Sequence, residues 1–332
     1  MRSLLAVLVL LWGCASAPPP APEAAAPAEL PYPTALLAPN ARPKTAVSLV
    51  FTEGPAANSD GHVFYTEITG NRILEYAPDG SISEFRNPSG RANGLAFDGE
   101  GRLLACEGGG EGGNRRVTRT DMKTGKVEVL ASEYEGKKLN SPNDIVVAAN
   151  GRIYFTDPRY GAQDGRELET EDVYMIDTDG SLRRVATKPE IAKPNGIALS
   201  PDQKILYVAD TQPGTPTEAR VMAFDVAEDG SLSNGRSIYS FGGGRGIDGM
   251  AIDVDGNLYG AAGDNGNLPE NPAGVYVITP EGKLAGVIPV SEDPITNCNF
   301  GGPDLKTLYV TSGKTLYTVE TKNSGFLVYP KL

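Results

Sequence analysis

Six times along the chain a short polar opening leads into an apolar strand, a turn and a second strand. The cleanest copy runs Lys193-Pro194-Asn195-Gly196-Ile197-Ala198-Leu199, then Ser200-Pro201-Asp202-Gln203, then Lys204-Ile205-Leu206-Tyr207-Val208-Ala209-Asp210. Period-2 apolar segments bounded by turn formers read as a β-hairpin. The other openings are Thr52-Glu53-Gly54-Pro55, Arg91-Ala92-Asn93-Gly94, Ser141-Pro142-Asn143-Asp144, Gly246-Ile247-Asp248-Gly249 and Thr296-Asn297-Cys298-Asn299. Their polar residues stand at 53, 93, 143, 195, 248 and 297, so the spacings are 40, 50, 52, 53 and 49 residues. Repeats of that length built from strands and turns are propeller blades, and a blade buries its faces only against its neighbours. The fold class is therefore all-β, a six-bladed β-propeller over residues 45–332. Little chain remains after Thr315–Val319. The last blade is therefore expected to be completed by a strand from the other end, read here at Ala46–Phe51. No long helix is expected.

Ahead of the repeats the composition changes. Arg2 precedes an apolar run, Leu4 to Trp12, too short to span a bilayer, so residues 1–14 read as a secretory signal. The run ends Leu11-Trp12-Gly13-Cys14, which resembles a bacterial lipobox and makes Cys14 a candidate for lipidation; Ala15-Ser16-Ala17 offers an ordinary cleavage site instead. Residues 15–44 are rich in Ala and Pro and read as a tether. The expected location is the periplasm or cell envelope of a bacterium, with any membrane contact through the lipid alone. The chain carries 30 Lys and Arg against 42 Asp and Glu, a net charge of −12, which excludes a basic nucleic-acid surface. A monomer or weak dimer is expected. Cys106 and Cys298 fall in the second and sixth repeats and are expected to be free, buried thiols.

In a propeller the first strand of each blade lines the central channel. Glu53, Asn93, Asn143, Asn195, Asp248 and Asn297 hold equivalent places and are expected to face the axis at similar depth. Two carboxylates and four amides, with no sulfur and no imidazole, suit a hard divalent cation, calcium before magnesium. The plainer alternative is that Asn-Gly and Asp-Gly are ordinary turn formers. The single histidine, His62, aligns with the far end of its blade, away from the channel, which argues against a His-ligated zinc or a Ser-His-Asp triad. The Gly-rich runs at 108–113 and 242–244 do not open helices and fit no phosphate-binding pattern.

Glu53-Gly54-Pro55, Ser141-Pro142-Asn143-Asp144, Pro194-Asn195-Gly196-Ile197, Asp248-Gly249-Met250 and Phe300-Gly301-Gly302-Pro303-Asp304 together resemble the gluconolactonase/regucalcin (senescence marker protein) family, over roughly residues 45–320. The resemblance implies a six-bladed propeller holding Ca2+, or else Mg2+, Mn2+ or Zn2+, and hydrolysing a small lactone. It implies Glu53, Asn195 and Asp248 as metal ligands, with Asn143 touching metal or substrate, and Asp248 as the general base. Asn93, Asn143, Asp144 and Arg159 are the candidate substrate contacts. Arg159 is included because Asp157-Pro158-Arg159-Tyr160-Gly161 looks like a rim segment of that family. Ser141 stands where regucalcin-like members have an arginine, and Gly108 follows Cys106-Glu107 where many bacterial gluconolactonases have a histidine soon after. In the expected reaction the cation polarises the lactone carbonyl while Asp248, or Asp144 beside it, takes a proton from water. Phosphotriester or organofluorophosphate hydrolysis on the same site, and a non-catalytic calcium-stabilised binding propeller, are the other readings.

Overall fold

The computed structural model describes residues 33, 35–39, 41–48, 51–211, 219–242, 244–263, 271–291 and 294–330. The expected signal segment, Cys14 and most of the tether lie outside them. Among the described residues all regular structure is strand, and six four-stranded antiparallel sheets follow one another around a ring.

The innermost strands are Thr52–Ala57, Ala92–Phe97, Ile145–Val147, Pro194–Leu199, Met250–Ile252 and Ile295–Gly301. Each is followed outward by a second strand: Val63–Glu67, Leu103–Glu107, Ile153–Asp157, Ile205–Asp210, Leu258–Ala262 and Thr307–Ser312. Nearly every residue of these second strands is buried, because each lies inside its sheet and is covered on both faces by the adjoining blades. Tyr259, Phe300 and Val310 fill one such joint, between the fifth and sixth blades, and Leu104, Phe155 and Tyr174 another, between the second and third. The outermost strands, such as Ile82–Arg86 and Val127–Ala131, face water on one side and carry charges that blunt the edge.

The ring closes as expected from the shortage of chain at the end. Lys44–Ser48 pairs antiparallel with Thr315–Glu320 to complete the sixth blade. Two further segments were not anticipated. The tether reading to residue 44 runs too long, since Leu37 is buried in the joint between the fifth and sixth blades and bridges Thr321. After the last strand, residues 321–330 turn back across the far mouth of the channel. Phe326 N–H donates to Ile252 O (2.9 Å) in the fifth blade, and the Tyr329 ring packs on Phe97 (5.6 Å) in the second. A side chain at Gly325 would collide with the Phe300 ring, so only glycine lets this strap lie down.

Candidate active site

The repeated phrase forms the other mouth of the channel, but not as a set of turns. The pairing of the inner strands with the second strands slips between Glu53 and Ala56, between Ala92 and Leu95, and between Pro194 and Ile197. These are bulges, which re-aim a side chain at the cost of local pairing. The glycines explain how six strands converge. Gly54 takes φ +45, and a side chain there would run into the Asn93 carbonyl of the next blade. Neighbouring blades are then stitched by backbone: Gly94 N–H donates to Asn143 O (2.7 Å), and Gly249 N–H to Thr296 O (2.7 Å).

Above this constriction lies a cavity of about 760 Å³, within the range of small-ligand sites. Glu53, Asn93, Asn143, Asn195 and Asp248 all line it. Asp144 and Asn297 do not; they sit buried beneath its floor. Asp144 accepts from Ile145 N–H (3.0 Å) and, across to the next blade, from Ile197 N–H (3.2 Å). Arg159 departs from its expected role. It is buried, does not line the cavity, and its guanidinium is spent on three carbonyls: Ala162 (2.9 Å), Asn140 (2.9 Å) and Asp164 (3.0 Å). The rim segment folds on itself around this arginine, and it is Tyr160, hydrogen-bonded to Thr211 (2.5 Å), that reaches the cavity. His62 lies at the opposite end of its blade and pairs with Glu75 (2.6 Å). Cys106 and Cys298 are free and buried, as expected.

Residues to which the sequence assigned no role complete the wall. Arg245 donates to Asp248 Oδ2 (2.6 Å) and to Ile295 O (2.5 Å), and Arg91, Ser141 and Thr211 also line the cavity. Their one sequence signal is position: Arg91 and Ser141 each stand two residues before the repeat's polar residue.

Electrostatically the site is short of positive charge. Burial, with Asp248 and Asp144 close by, pushes the Glu53 carboxyl well above its ordinary range, although Gly54 N–H and the Asn297 amide work the other way. Burial raises Asp144 to about 7 against the two N–H groups it accepts from. Asp248 is raised by burial too, with Arg245 and Asn195 opposing. Asn195 donates from Nδ2 to Asp248 Oδ1 (2.7 Å), which leaves its own Oδ1 buried without a partner among the described residues. An orphaned amide oxygen beside buried carboxylates is a donor set that fits a hard divalent cation. Among the described residues no group of three or more His, Cys, Asp and Glu is placed to hold a metal. Any ion here would therefore lean on amide oxygens.

A family model described as the SMP-30/Gluconolactonase/LRE-like region matches residues 51–314. The gluconolactonase of Zymomonas mobilis is 29% identical over 307 residues, covering 84% of this chain and 81% of that protein. The pentonolactonase of Haloferax volcanii is 27% identical over 268 residues, covering 78% and 80%. Among solved structures, a gluconolactonase from Xanthomonas campestris superposes with a TM-score of 0.74 at 33% identity, covering 85% of this chain and 90% of that one.

Proposed function

The chain belongs to the SMP-30/gluconolactonase/LRE-like family, and on that premise we propose that it is a lactonase, opening a sugar lactone to its hydroxy acid with the help of a divalent cation. The observation that carries the reading is the mouth of the channel: buried, under-compensated carboxylates and an orphaned amide oxygen beside a 760 Å³ cavity. Glu53, Asn195 and Asp248 would hold the ion, with Asn143 alongside, and all-oxygen donors favour calcium. When bound, the ion supplies Lewis-acid polarisation of the ring carbonyl.

The rest falls to side chains. Asp248 lines the cavity with both oxygens fixed, one by Arg245 and one by Asn195, so its orientation is set before substrate arrives. In this reading it accepts the proton of the attacking water. Asp144 lies beneath the floor, tied to two backbone N–H groups, and serves to hold the inner strands of the third and fourth blades together. Asn93, Asn143 and Tyr160 offer hydrogen bonds to sugar hydroxyls from the cavity wall. Export with a lipid on Cys14 completes the proposal. Mass spectrometry of the mature N-terminus tests it: an acylated Cys14 is expected, and a free Ala or Pro there means ordinary secretion.

The test of the reaction is a lactone panel run with and without a chelator, beside a phosphotriester. Turnover of gluconolactone above its spontaneous rate is expected, lost on chelation and restored by calcium. No lactone opened above background, or a phosphotriester turned over faster than every lactone, overturns the reading.

A further inference from the structure

Arg91 is an exception among the arginines of the described residues. Elsewhere each guanidinium has a hydrogen bond or an ion pair: Arg72 with Glu67, Arg86 and Arg116 with Glu107, Arg152 and Arg183 with Asp177, Arg220 with Asp210, Arg236 with Asp225, and the remainder with carboxylates or carbonyls. Among the described residues none makes such a contact with the Arg91 guanidinium, yet Arg91 is half-buried and lines the active-site cavity.

Its backbone, by contrast, is tightly held. Arg91 takes φ 56, a left-handed conformation uncommon for a residue with a Cβ. The strain is sustained from both sides: Arg91 N–H donates to Asn71 Oδ1 (2.6 Å) and Arg91 O accepts from Gly108 N–H (3.0 Å). A strained, clamped backbone that carries an uncommitted side chain into a site suggests a ligand-facing residue. Arg91 opens the second blade and Asp248 the fifth. In a ring of six these blades face each other, so the guanidinium stands on the wall across from the proposed proton acceptor.

We propose that Arg91 orients the substrate by its far end, and that the favoured class is a polyhydroxylated lactone bearing a carboxylate remote from the ring carbonyl. The inference rests on the lactonase reading. A planar guanidinium fork with its donors free matches a carboxylate in bidentate fashion, which a neutral hydroxyl cannot do. The acids lining the cavity leave that fork open: Asp248 bonds Arg245 and Asn195, Glu53 accepts from Gly54 N–H, and neither pairs with Arg91 among the described residues.

The test compares gluconolactone with glucarolactone, which differs by a terminal carboxylate, using the full chain with calcium. The wild type is expected to prefer glucarolactone by about tenfold or more in kcat/KM. Arg91→Gln should cut turnover of glucarolactone by about 10–100-fold, the range of a lost hydrogen bond to a charged group, and leave gluconolactone within a factor of about 3. Arg91→Lys should recover part of the loss, because charge is kept and the fork is not. Thermal unfolding should be unchanged in both variants. Calorimetric binding of the open acids, glucarate against gluconate, reads the same preference without turnover. If no lactone is opened, the lactonase reading fails while calorimetry still decides this inference. Equal binding of glucarate and gluconate by the wild type, or an equal loss on both lactones in Arg91→Gln, overturns it.

Discussion

Two sets of buried carboxylates sit in this propeller, and they are treated in opposite ways. One set ends the second strand of the first four blades: Glu67, Glu107, Asp157 and Asp210. Three of these face an arginine at the start of the third strand, in the pairs Glu67 with Arg72, Glu107 with Arg116 and Asp210 with Arg220. Glu107 is the extreme case. Burial alone would raise its pKa, but Arg116 Nε (2.6 Å), Arg86 and Asn114 Nδ2 (2.6 Å) outweigh it and hold the carboxyl below its usual range. In the other set Glu53 and Asp144 are buried and Asp248 is half-buried; among the described residues the set has a single ion pair, Arg245 to Asp248, and all three carboxyls are raised. The contrast separates carboxylates neutralised by arginines from carboxylates left short of positive charge, and the perturbed acids that line the cavity, Glu53 and Asp248, mark a functional site.

Asp248→Asn probes the second set hardest. The change keeps an oxygen and removes a charge and a base, so activity at saturating calcium should stay down by about 10²–10⁴-fold. Near-normal turnover at saturation would make Asp248 a ligand only. Glu107→Gln probes the first set. It strands two guanidiniums against a neutral amide, and urea or thermal unfolding should show a loss of about 3–5 kcal/mol, with the folded fraction as active as wild type. A fall in activity beyond the unfolded fraction would blur the distinction.

Calcium at about 100 times its dissociation constant should stabilise the wild type by about 2.7 kcal/mol, an increment that chelation removes. Glu53→Gln should abolish the increment and Asp157→Asn should keep it; the reverse pattern would put the ion elsewhere.

Asp157 tests the rule from within the first set. Opposite it stands Asp172 instead of an arginine. Burial, with Asp172 adding to it, raises Asp157 to about 7, while Asn140 N–H (2.7 Å) and Ser141 N–H (2.7 Å) oppose the shift. A carboxyl raised in the folded state binds its proton more tightly there than in the unfolded chain. Its stabilising contribution is therefore full below about pH 4 and lost as pH rises through about 7, at no more than about 1.4 kcal/mol per pH unit. Asp157→Asn should flatten that limb of the stability curve; an unchanged slope would show that another group carries it.

What could be read from the chain follows from what repeats in it. The six inner-strand openings recur every 40 to 53 residues, so ring, blade number and the convergence of Glu53, Asn93, Asn143, Asn195 and Asp248 were legible. The acid at the end of the second strand recurs too, at 67, 107, 157 and 210, but its arginine partner is visible only once strand register is known. Contacts made once leave no pattern. Leu37 in a Pro-rich leader, the strap at 321–330 and the inward fold of Arg159 onto carbonyls are of that kind. The Asn-Gly phrases looked equally like turns, and only the slip in pairing beside Asn93 and Asn195 identifies them as bulges.

The strap has a kinetic corollary. With Phe326 to Tyr329 laid over the far ends of the inner strands, the channel is a blind well and not a tunnel. Traffic is two-way through one doorway: the open-chain acid must leave past the same residues that admit the lactone. Product and substrate then exclude each other, so inhibition by the released acid should be purely competitive.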